Sequence, residues 1–98
     1  MKVIKKKENN KAIISIAGEI DSMNADEFEK RIFEETEGES EVVLDLRGLE
    51  YVSSAGLVVF LLLQRKYGSD GSLVLINANE DVMDIFTVSG FSRLLRFE

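Results

Sequence analysis

The chain has 98 residues, a mass of 11.0 kDa, and neither cysteine nor histidine. This length suits one domain, and the two missing residue types exclude disulfides, thiolate or imidazole metal sites and a Ser-His-Asp triad. The 12 basic and 18 acidic residues give a net charge of −6. That balance argues against a nucleic-acid or anionic-membrane partner and favours a protein partner.

Neither a leader nor a membrane span is predicted. The start, Met1 to Lys7, lacks the apolar stretch of a signal peptide. The longest apolar run, Leu57 to Leu63, is far shorter than the ~20 residues that a bilayer requires. We therefore expect a cytoplasmic protein.

The N-terminal segment predicts a β-hairpin. Asn9-Asn10 separates two segments of alternating apolar character, Val3–Lys7 and Lys11–Ala17. Gly18 is expected to close the second strand.

An amphipathic helix is predicted over about residues 23–36. Ala25, Phe28 and Ile32 follow helical spacing in an otherwise acidic segment, and Gly38 is expected to end the helix. Asn24 stands three residues before Glu27, at the spacing of a capping box. Three side chains could cap the helix start: Asp21, Ser22 and Asn24.

Glu41–Leu46 is rich in strand-forming residues, and its near-continuous apolar run, Val42, Val43, Leu44 and Leu46, is typical of a central strand covered on both faces. A turn is expected at Arg47-Gly48, after which Leu49, Tyr51 and Val52 are expected to anchor the chain. The apolar segment that begins after two serines and ends near Tyr67 fits a helix better than a strand.

The C-terminal third predicts a strand at Ser72–Ile76 and a helix that Asn79 opens and Gly90 stops, bearing Val82, Ile85 and Phe86. Leu94–Phe97 is expected to form a short edge strand or tail. The order β, β, α, β, α, β, α, β predicts an α/β fold. It would be a single domain with a mixed β-sheet of four to five strands, covered by three or more helices.

The two serines admit three interpretations. Ser53 or Ser54 could be an ordinary helix N-cap. Alternatively, a hydroxyl exposed at a helix start could accept a phosphate that the helix dipole stabilises, with Ala55 and Gly56 leaving the approach open. A nucleophilic serine enzyme is disfavoured because G-x-S-x-G and histidine are both missing.

The second predicted helix carries more apolar residues than one buried face needs. If Leu57, Phe60 and Leu61 face the sheet, Val58 and Leu62 lie on the same flank as Ser54. Either a neighbouring helix covers these two residues or they form a small protein-docking patch beside the serine.

Metal and cofactor signals are weak. Glu19 and Asp21 could bind a hard cation, but two acids at this spacing are common on surfaces. The loop Gly68-Ser69-Asp70-Gly71 lacks the lysine and spacing of a P-loop. No metal or cofactor is expected.

Taken together, four segments in order resemble the STAS domain family of bacterial anti-sigma-factor antagonists. Gly18-Glu19-Ile20-Asp21 resembles the family's G-x-L-D, and Val42–Leu46 resembles its central strand, which ends in D-L. Tyr51–Leu57 is similar to the family's serine motif, and Ile85–Phe91 to its last-helix pattern. The similarity covers nearly all 98 residues, so residues 1–98 are expected to form one STAS domain.

The resemblance implies a partner switch rather than an enzyme. The unphosphorylated domain would bind an anti-sigma factor that is also a serine kinase, and so release a sigma factor. Phosphorylation of Ser54 would end the binding, and a serine phosphatase would restore it. Ser53 stands where the family has aspartate, which leaves Ser53 as a minority candidate for the modified residue.

The expected partner-binding residues lie on the loop after the hairpin and at the start of the second helix: Asp21, Ser22, Asn24, Ser53, Ser54, Ala55, Gly56, Val58 and Leu62. The alternative function is a STAS-like nucleotide-binding or scaffold module, in which the loops near Asp21 and Ser54 hold a ligand.

Overall fold

The computed structural model describes residues 1–98. The strands and helices in chain order are β1 (Lys2–Glu8), β2 (Lys11–Ile20), α1 (Ala25–Thr36), β3 (Val42–Val52), α2 (Ser54–Leu63), β4 (Leu73–Ile76) and α3 (Glu80–Val88). A π-helical turn, Gln64–Gly68, continues α2, and a 3-10 turn, Phe91–Arg93, follows α3.

The strands form one mixed sheet in the order β1-β2-β3-β4. β1 is antiparallel to β2, whereas β2, β3 and β4 are parallel to one another. The C-terminal residues add a short parallel bridge between Leu75 and Phe97, which is the predicted short edge pairing. The predicted α/β class with a mixed sheet and three helices is confirmed.

Because the three parallel strands end at the same edge, the chain segments that lead into the three helices also meet there. The two strand ends nearest the middle of the sheet are those of β2 and β3, where Ile20 pairs with Val52. The two segments that carry most of the predicted site, the loop after Ile20 and the start of α2, both follow this pair.

β3 is central, as predicted, but helices cover only one of its faces. Val42, Leu44 and Leu46 are buried, whereas Val43 and Asp45 point the other way and keep partial exposure. The expectation of cover on both faces was wrong, since all three helices pack on one side of the sheet.

A row of aromatic rings shows how the helical layer is assembled. The Phe60 ring of α2 lies 5.6 Å from Phe28 of α1 and 5.3 Å from Phe86 of α3, measured between ring centroids. Phe86 in turn contacts Phe97 at 5.2 Å. These distances are within the range of favourable aromatic pairs, so the row joins all three helices to the C-terminal edge.

Two strands run past their predicted ends because glycine has another role in each. Gly18 has φ +93° and lies within β2 beside two register shifts in the pairing with β3, where the ladder is locally irregular. Gly48 lies within β3, where a Cβ atom would stand 2.8 Å from the Cβ of Ala17. The predicted strand end at Gly18 and the predicted turn at Arg47-Gly48 were both wrong.

The burial pattern of α2 also departs from expectation. Leu57 and Phe60 are buried as predicted, but Val59 and Leu63 are buried with them, and Leu61 is only partly buried. The helix packs against neighbouring helices as well as the sheet, so more than one stripe of it is covered.

The regular α-helix ends at Leu63, before the predicted end near Tyr67. The π turn that follows buries Tyr67, whose hydroxyl donates a hydrogen bond of 2.9 Å to the carbonyl oxygen of Thr36. None of the helices combines the length and apolar character required to cross a membrane.

Candidate functional site

The two adjacent serines occupy different positions at the start of α2. Ser53 is the N-cap residue, and its Oγ accepts a hydrogen bond from the backbone N–H of Gly56 at 3.2 Å. Ser53 is partly buried, whereas Ser54, the first residue of the helix, is exposed. The cap therefore engages the hydroxyl of Ser53 and leaves Ser54 open to a partner.

A backbone hydrogen bond joins the two segments of the predicted site. The N–H of Ser53 donates to the carbonyl oxygen of Ile20 at 2.7 Å. The residue after Ile20 is Asp21, so the loop that begins there lies beside the start of α2. The family resemblance implied that the two segments are neighbours, and the structure places them side by side.

Side chains of the loop itself hold its shape. Oδ1 of Asp21 accepts hydrogen bonds from the backbone N–H groups of Met23 and Asn24, both at 2.9 Å. Oδ1 of Asn24 accepts the N–H of Asp21 at 2.9 Å, and its Nδ2 donates to the carbonyl oxygen of Glu19 at 3.0 Å. Ser22 is exposed in the middle of this network.

The predicted capping of α1 is corrected by the same network. Asn24 is the N-cap residue, but its side chain makes no cap hydrogen bond to the helix. Its polar atoms are directed to Asp21 and Glu19, and α1 begins at Ala25 rather than near Met23.

Gly56 has a packing role that the sequence did not indicate. It is buried, and a Cβ atom there would stand 2.7 Å from Cγ2 of Ile20 and 2.9 Å from Cγ1 of Val52. Glycine lets the first turn of α2 rest directly on the ends of β2 and β3. The neighbouring Ala55 is exposed. The small residue at 56 thus sets the helix on the sheet rather than clearing the approach to Ser54.

Exposed apolar side chains surround the serine. Val58 is 52% exposed, so it is available to a partner, whereas Leu62 is partly covered. Of the seven large hydrophobic residues that are exposed, four lie on the segments around the start of α2. We call these four the apolar rim: Met23, Tyr51, Val58 and Val88.

A shallow groove of about 390 Å³ opens between the end of β3, the start of α2 and one face of α3. Its apolar lining includes Leu57, Ile85 and Val88, and its polar lining includes Ser54 and Asp84. Asp84 is its single charged residue. Ser54 is therefore at once the start of a helix and part of the wall of a groove.

Sequence reasoning missed the contribution of α3 to this groove, and it was wrong to treat Tyr51 as an anchor, because Tyr51 is 44% exposed. The buried stripe of α3 is Val82 and Phe86, and Val88 lies off that stripe with 89% exposure. An apolar residue off the buried face of a short helix was the signal that could have found it.

The structure contains no cluster of three or more acidic side chains able to hold a metal ion. One oxygen of Asp21 is already occupied by two backbone N–H groups.

Comparison with known proteins identifies the family. The sequence model of the STAS domain family matches residues 2–98 of this chain. A Bordetella bronchiseptica protein named "Putative anti-sigma factor antagonist BtrV" is 38% identical over 93 residues, which is 93% of this chain and 80% of that protein. The chain belongs to the STAS domain family.

Solved structures share the fold. An anti-sigma factor antagonist from Mycobacterium paratuberculosis superposes with a TM-score of 0.87 at 18% identity, over 98% of this chain and 83% of that one. The anti-sigma factor antagonist SpoIIAA in its unphosphorylated form gives 0.76 at 16% identity, over 99% and 88% of the two chains. The phosphorylated form of SpoIIAA, from Bacillus, gives 0.68 at 15% identity, over 99% and 91%.

Proposed function

We propose that this protein is an anti-sigma-factor antagonist. In its unphosphorylated form it binds an anti-sigma factor that is also a serine kinase, and the sigma factor is released. The observation that carries the proposal is the exposed hydroxyl of Ser54 amid the apolar rim. Membership of the STAS family and the relationship to BtrV support the same function.

Ser54 is the proposed phosphoacceptor. Its hydroxyl is on the surface, and the helix start behind it favours a negative charge. Ser53 is the weaker candidate because it is partly buried and its Oγ serves as the acceptor of the helix cap. Serine and aspartate are both good N-cap residues, so the departure from the family's aspartate at 53 preserves the cap.

Phosphorylation ends binding through charge. A phosphate adds about −1.5 to −2 charges at neutral pH. Asp84 already contributes an acidic group to the groove wall beside Ser54, and Asp21 contributes another on the adjacent loop. A partner that buries the apolar rim would have to remove water from the new dianion, which opposes docking. SpoIIAA, which has a similar fold, has been solved in phosphorylated and unphosphorylated forms, and this supports a phosphorylation switch here.

In this scheme the protein is a substrate and a switch, not an enzyme. The kinase activity belongs to the anti-sigma factor, and a serine phosphatase resets the protein by removing the phosphate. We place these reactions in the cytoplasm, with residues 1–98 acting as one STAS domain. Since Asp21 and Asp84 flank the apolar rim, the contacting surface of the partner is expected to combine apolar and basic side chains.

A nucleotide-binding or scaffold role is the second candidate, because the groove has the volume of a small-ligand site. Its lining argues against a nucleotide. The one charged residue is Asp84, and it would repel phosphate groups. The chemistry of the groove favours a protein side chain over a nucleotide.

The deciding experiment uses the purified protein and an anti-sigma kinase from its own organism. Calorimetry would compare the affinity of the unphosphorylated and phosphorylated protein, and intact mass would follow phosphate addition. We expect one added phosphate and at least about a hundredfold loss of affinity, or ~2.7 kcal/mol. Thermal midpoints with GTP and ATP should not move. Equal affinity of the two forms, or a nucleotide shift without kinase binding, would contradict the proposal.

A further inference from the structure

The face of the sheet opposite the helices is open and carries a group of apolar side chains. The outward positions of the four strands include five β-branched aliphatic side chains: Ile4, Ile13, Val43, Val74 and Ile76. Ile4 is 55% exposed and the other four are partly exposed. The solvent-facing side of such a sheet usually carries polar residues. Here polar residues such as Lys6, Ser15 and Asp45 share the face with this group of apolar side chains.

The strand register arranges these side chains in rows across the sheet. The first row runs Lys6, Ile13, Val43 and Val74 from β1 to β4. The second row runs Ile4, Ser15, Asp45 and Ile76 in the same order. The two rows therefore differ in the middle, where one is apolar and the other is polar.

The rows of one copy are complementary to the same rows of a second copy under one particular symmetry. A twofold axis parallel to the strands, between β2 and β3, would stack two copies face to face and reverse the order of each row. In the first row Ile13 would then face Val43 of the second copy. In the second row Ser15 would face Asp45 of the second copy, and Ile4 would face its Ile76.

The polar pair at the centre has the correct donors and acceptors. Oδ1 of Asp45 accepts hydrogen bonds of 3.1 Å from the N–H of Arg47 and from Nδ2 of Asn77. Oδ2 takes no part in either bond, and the exposed hydroxyl of Ser15 can donate to it from the opposite copy. The stack would thus satisfy the polar groups at its centre while burying the apolar ones.

Charge disfavours one form of the other face-to-face arrangement. A twofold axis across the strands at the level of Ile4 would lay β1 on β1 and bring Lys2 of one copy against Lys6 of the other. With the axis along the strands, Lys6 instead lies over Val74 of the second copy. Its apolar stem can pack there while its ammonium group reaches solvent at the edge of the interface. Facing sheets normally pack about 10 Å apart, with the strands of one rotated by about 30° from those of the other. This rotation separates side chains far from the axis, so the pairs nearest the axis remain in contact. Those are the Ile13–Val43 and Ser15–Asp45 contacts.

From this complementarity we infer that the open sheet face is an interface for a second copy of this chain. The two helical layers would then lie on the outside of the dimer, and each would present its own Ser54 and apolar rim. The dimer would be a bivalent binding unit. This inference is independent of what binds at Ser54.

The test is sedimentation equilibrium of the full chain from about 10 µM to about 1 mM, a range that covers weak dimers. The mass should rise with concentration from 11.0 kDa towards twice that value. Ser15→Glu places a carboxylate against Asp45 of the other copy and should weaken the dimer at least about tenfold. Val43→Thr keeps the side-chain shape and β propensity but replaces a methyl group by a hydroxyl group, so it should also weaken the dimer. Val58→Thr, on the helical layer, is the matched control and should leave the dependence of mass on concentration unchanged.

Thermal midpoints measured at low concentration check that each variant folds. Val43→Thr alone decides the matter if Ser15→Glu disturbs the monomer, since Ser15 also neighbours Asp45 within one chain. A monomer at every concentration would overturn the inference. So would a dimer that both sheet-face variants leave intact, or one that Val58→Thr disrupts.

Discussion

The hydroxyl oxygen of Ser53 accepts the backbone N–H of Gly56 at 3.2 Å, while the adjacent hydroxyl of Ser54 stands free on the surface. Neighbouring serines of identical chemistry thus have different environments, one within a helix cap and the other beside a groove. This difference leads to separable effects of substitution.

We expect Ser54→Ala to abolish phosphorylation by the anti-sigma kinase with little change in thermal midpoint. Ser53→Ala should still accept one phosphate but lose about 1 kcal/mol of stability, because the cap acceptor is removed. Intact mass after kinase treatment measures the first effect, and denaturant unfolding measures the second. Phosphate on Ser54→Ala and none on Ser53→Ala would reverse the assignment.

The carboxylate of Asp21 shapes its loop, and the proposed function gives it an electrostatic role as well. Two substitutions separate these roles. Asp21→Asn keeps an oxygen that can accept the N–H groups of Met23 and Asn24, whereas Asp21→Ala removes it. If charge at this position matters to the kinase, both variants should bind it more weakly while Asp21→Asn keeps the wild-type midpoint. Wild-type affinity of Asp21→Asn together with weak binding of Asp21→Ala would show that loop shape alone is recognised.

Val58 tests the docking surface, and Leu94 provides a control because both side chains are 52% exposed. Val58→Lys should fold normally and reduce affinity for the anti-sigma factor at least about tenfold, or ~1.4 kcal/mol. Leu94→Lys, outside the groove, should not affect affinity. Leu62→Lys should weaken binding and also lower the midpoint, since Leu62 is partly covered. Surface plasmon resonance gives the affinities, and equal values for Val58→Lys and Leu94→Lys would place the interface elsewhere.

Glu39 should make stability depend on pH. Hydrogen bonds from Lys5 at 2.8 Å and Lys7 at 2.9 Å lower the pKa of its carboxyl below the ordinary 4.5. A lowered folded-state pKa contributes stability above the unfolded pKa, and that contribution is lost as pH falls through the folded value. Glu39→Gln should therefore melt below wild type at pH 7, and the gap should close progressively below 4.5.

The matched control for Glu39 is Glu37→Gln, at an exposed glutamate that forms no ion pair. Its midpoint should follow wild type at every pH. A gap between wild type and Glu39→Gln that stayed constant down to pH values well below 4.5 would contradict the assignment of the lowered pKa.

Gly56→Ala should destabilise the protein although alanine favours helices. The added Cβ would stand 2.7 Å from Cγ2 of Ile20, and overpacking of this kind costs about 1–3 kcal/mol against a helix-propensity gain of about 1. Because the helix start must shift, kinase affinity should fall as well. A variant that is more stable than wild type and binds normally would contradict this prediction. It would show that Ile20 and Val52 can move aside for the added methyl group without cost.

Local pattern predicted the elements well wherever periodicity and caps agreed. The side chain of Asn79 caps α3 by accepting the N–H of Val82 at 2.8 Å, and Val82 and Phe86 are buried as expected. Glycine was the main source of error, because the same residue serves turns and bulges. Only the pairing of β2 with β3 shows that Gly18 and Gly48 lie inside strands.

The sequence predicted the segments of the candidate site that lie in short motifs, but not the groove that forms between distant segments. Asp21 and Ser54 lie in motifs that can be read along the chain. The groove joins Tyr51 to Val88, which are far apart in sequence, and no pattern states that α3 ends beside the start of α2. Likewise, Val43 could have been covered by a helix of this chain, and only the topology shows that it is not.

The close approach of Gly56 to Ile20 and Val52 bears on the kind of signal that the proposed switch would transmit. A helix that rests directly on the sheet is held in one place, so in the proposed function the phosphate would act where it is added rather than through a second conformation. Such a switch would have no memory beyond its phosphoester. The duration of the off state would then equal the lifetime of that bond, and a phosphatase would set the timing of the response.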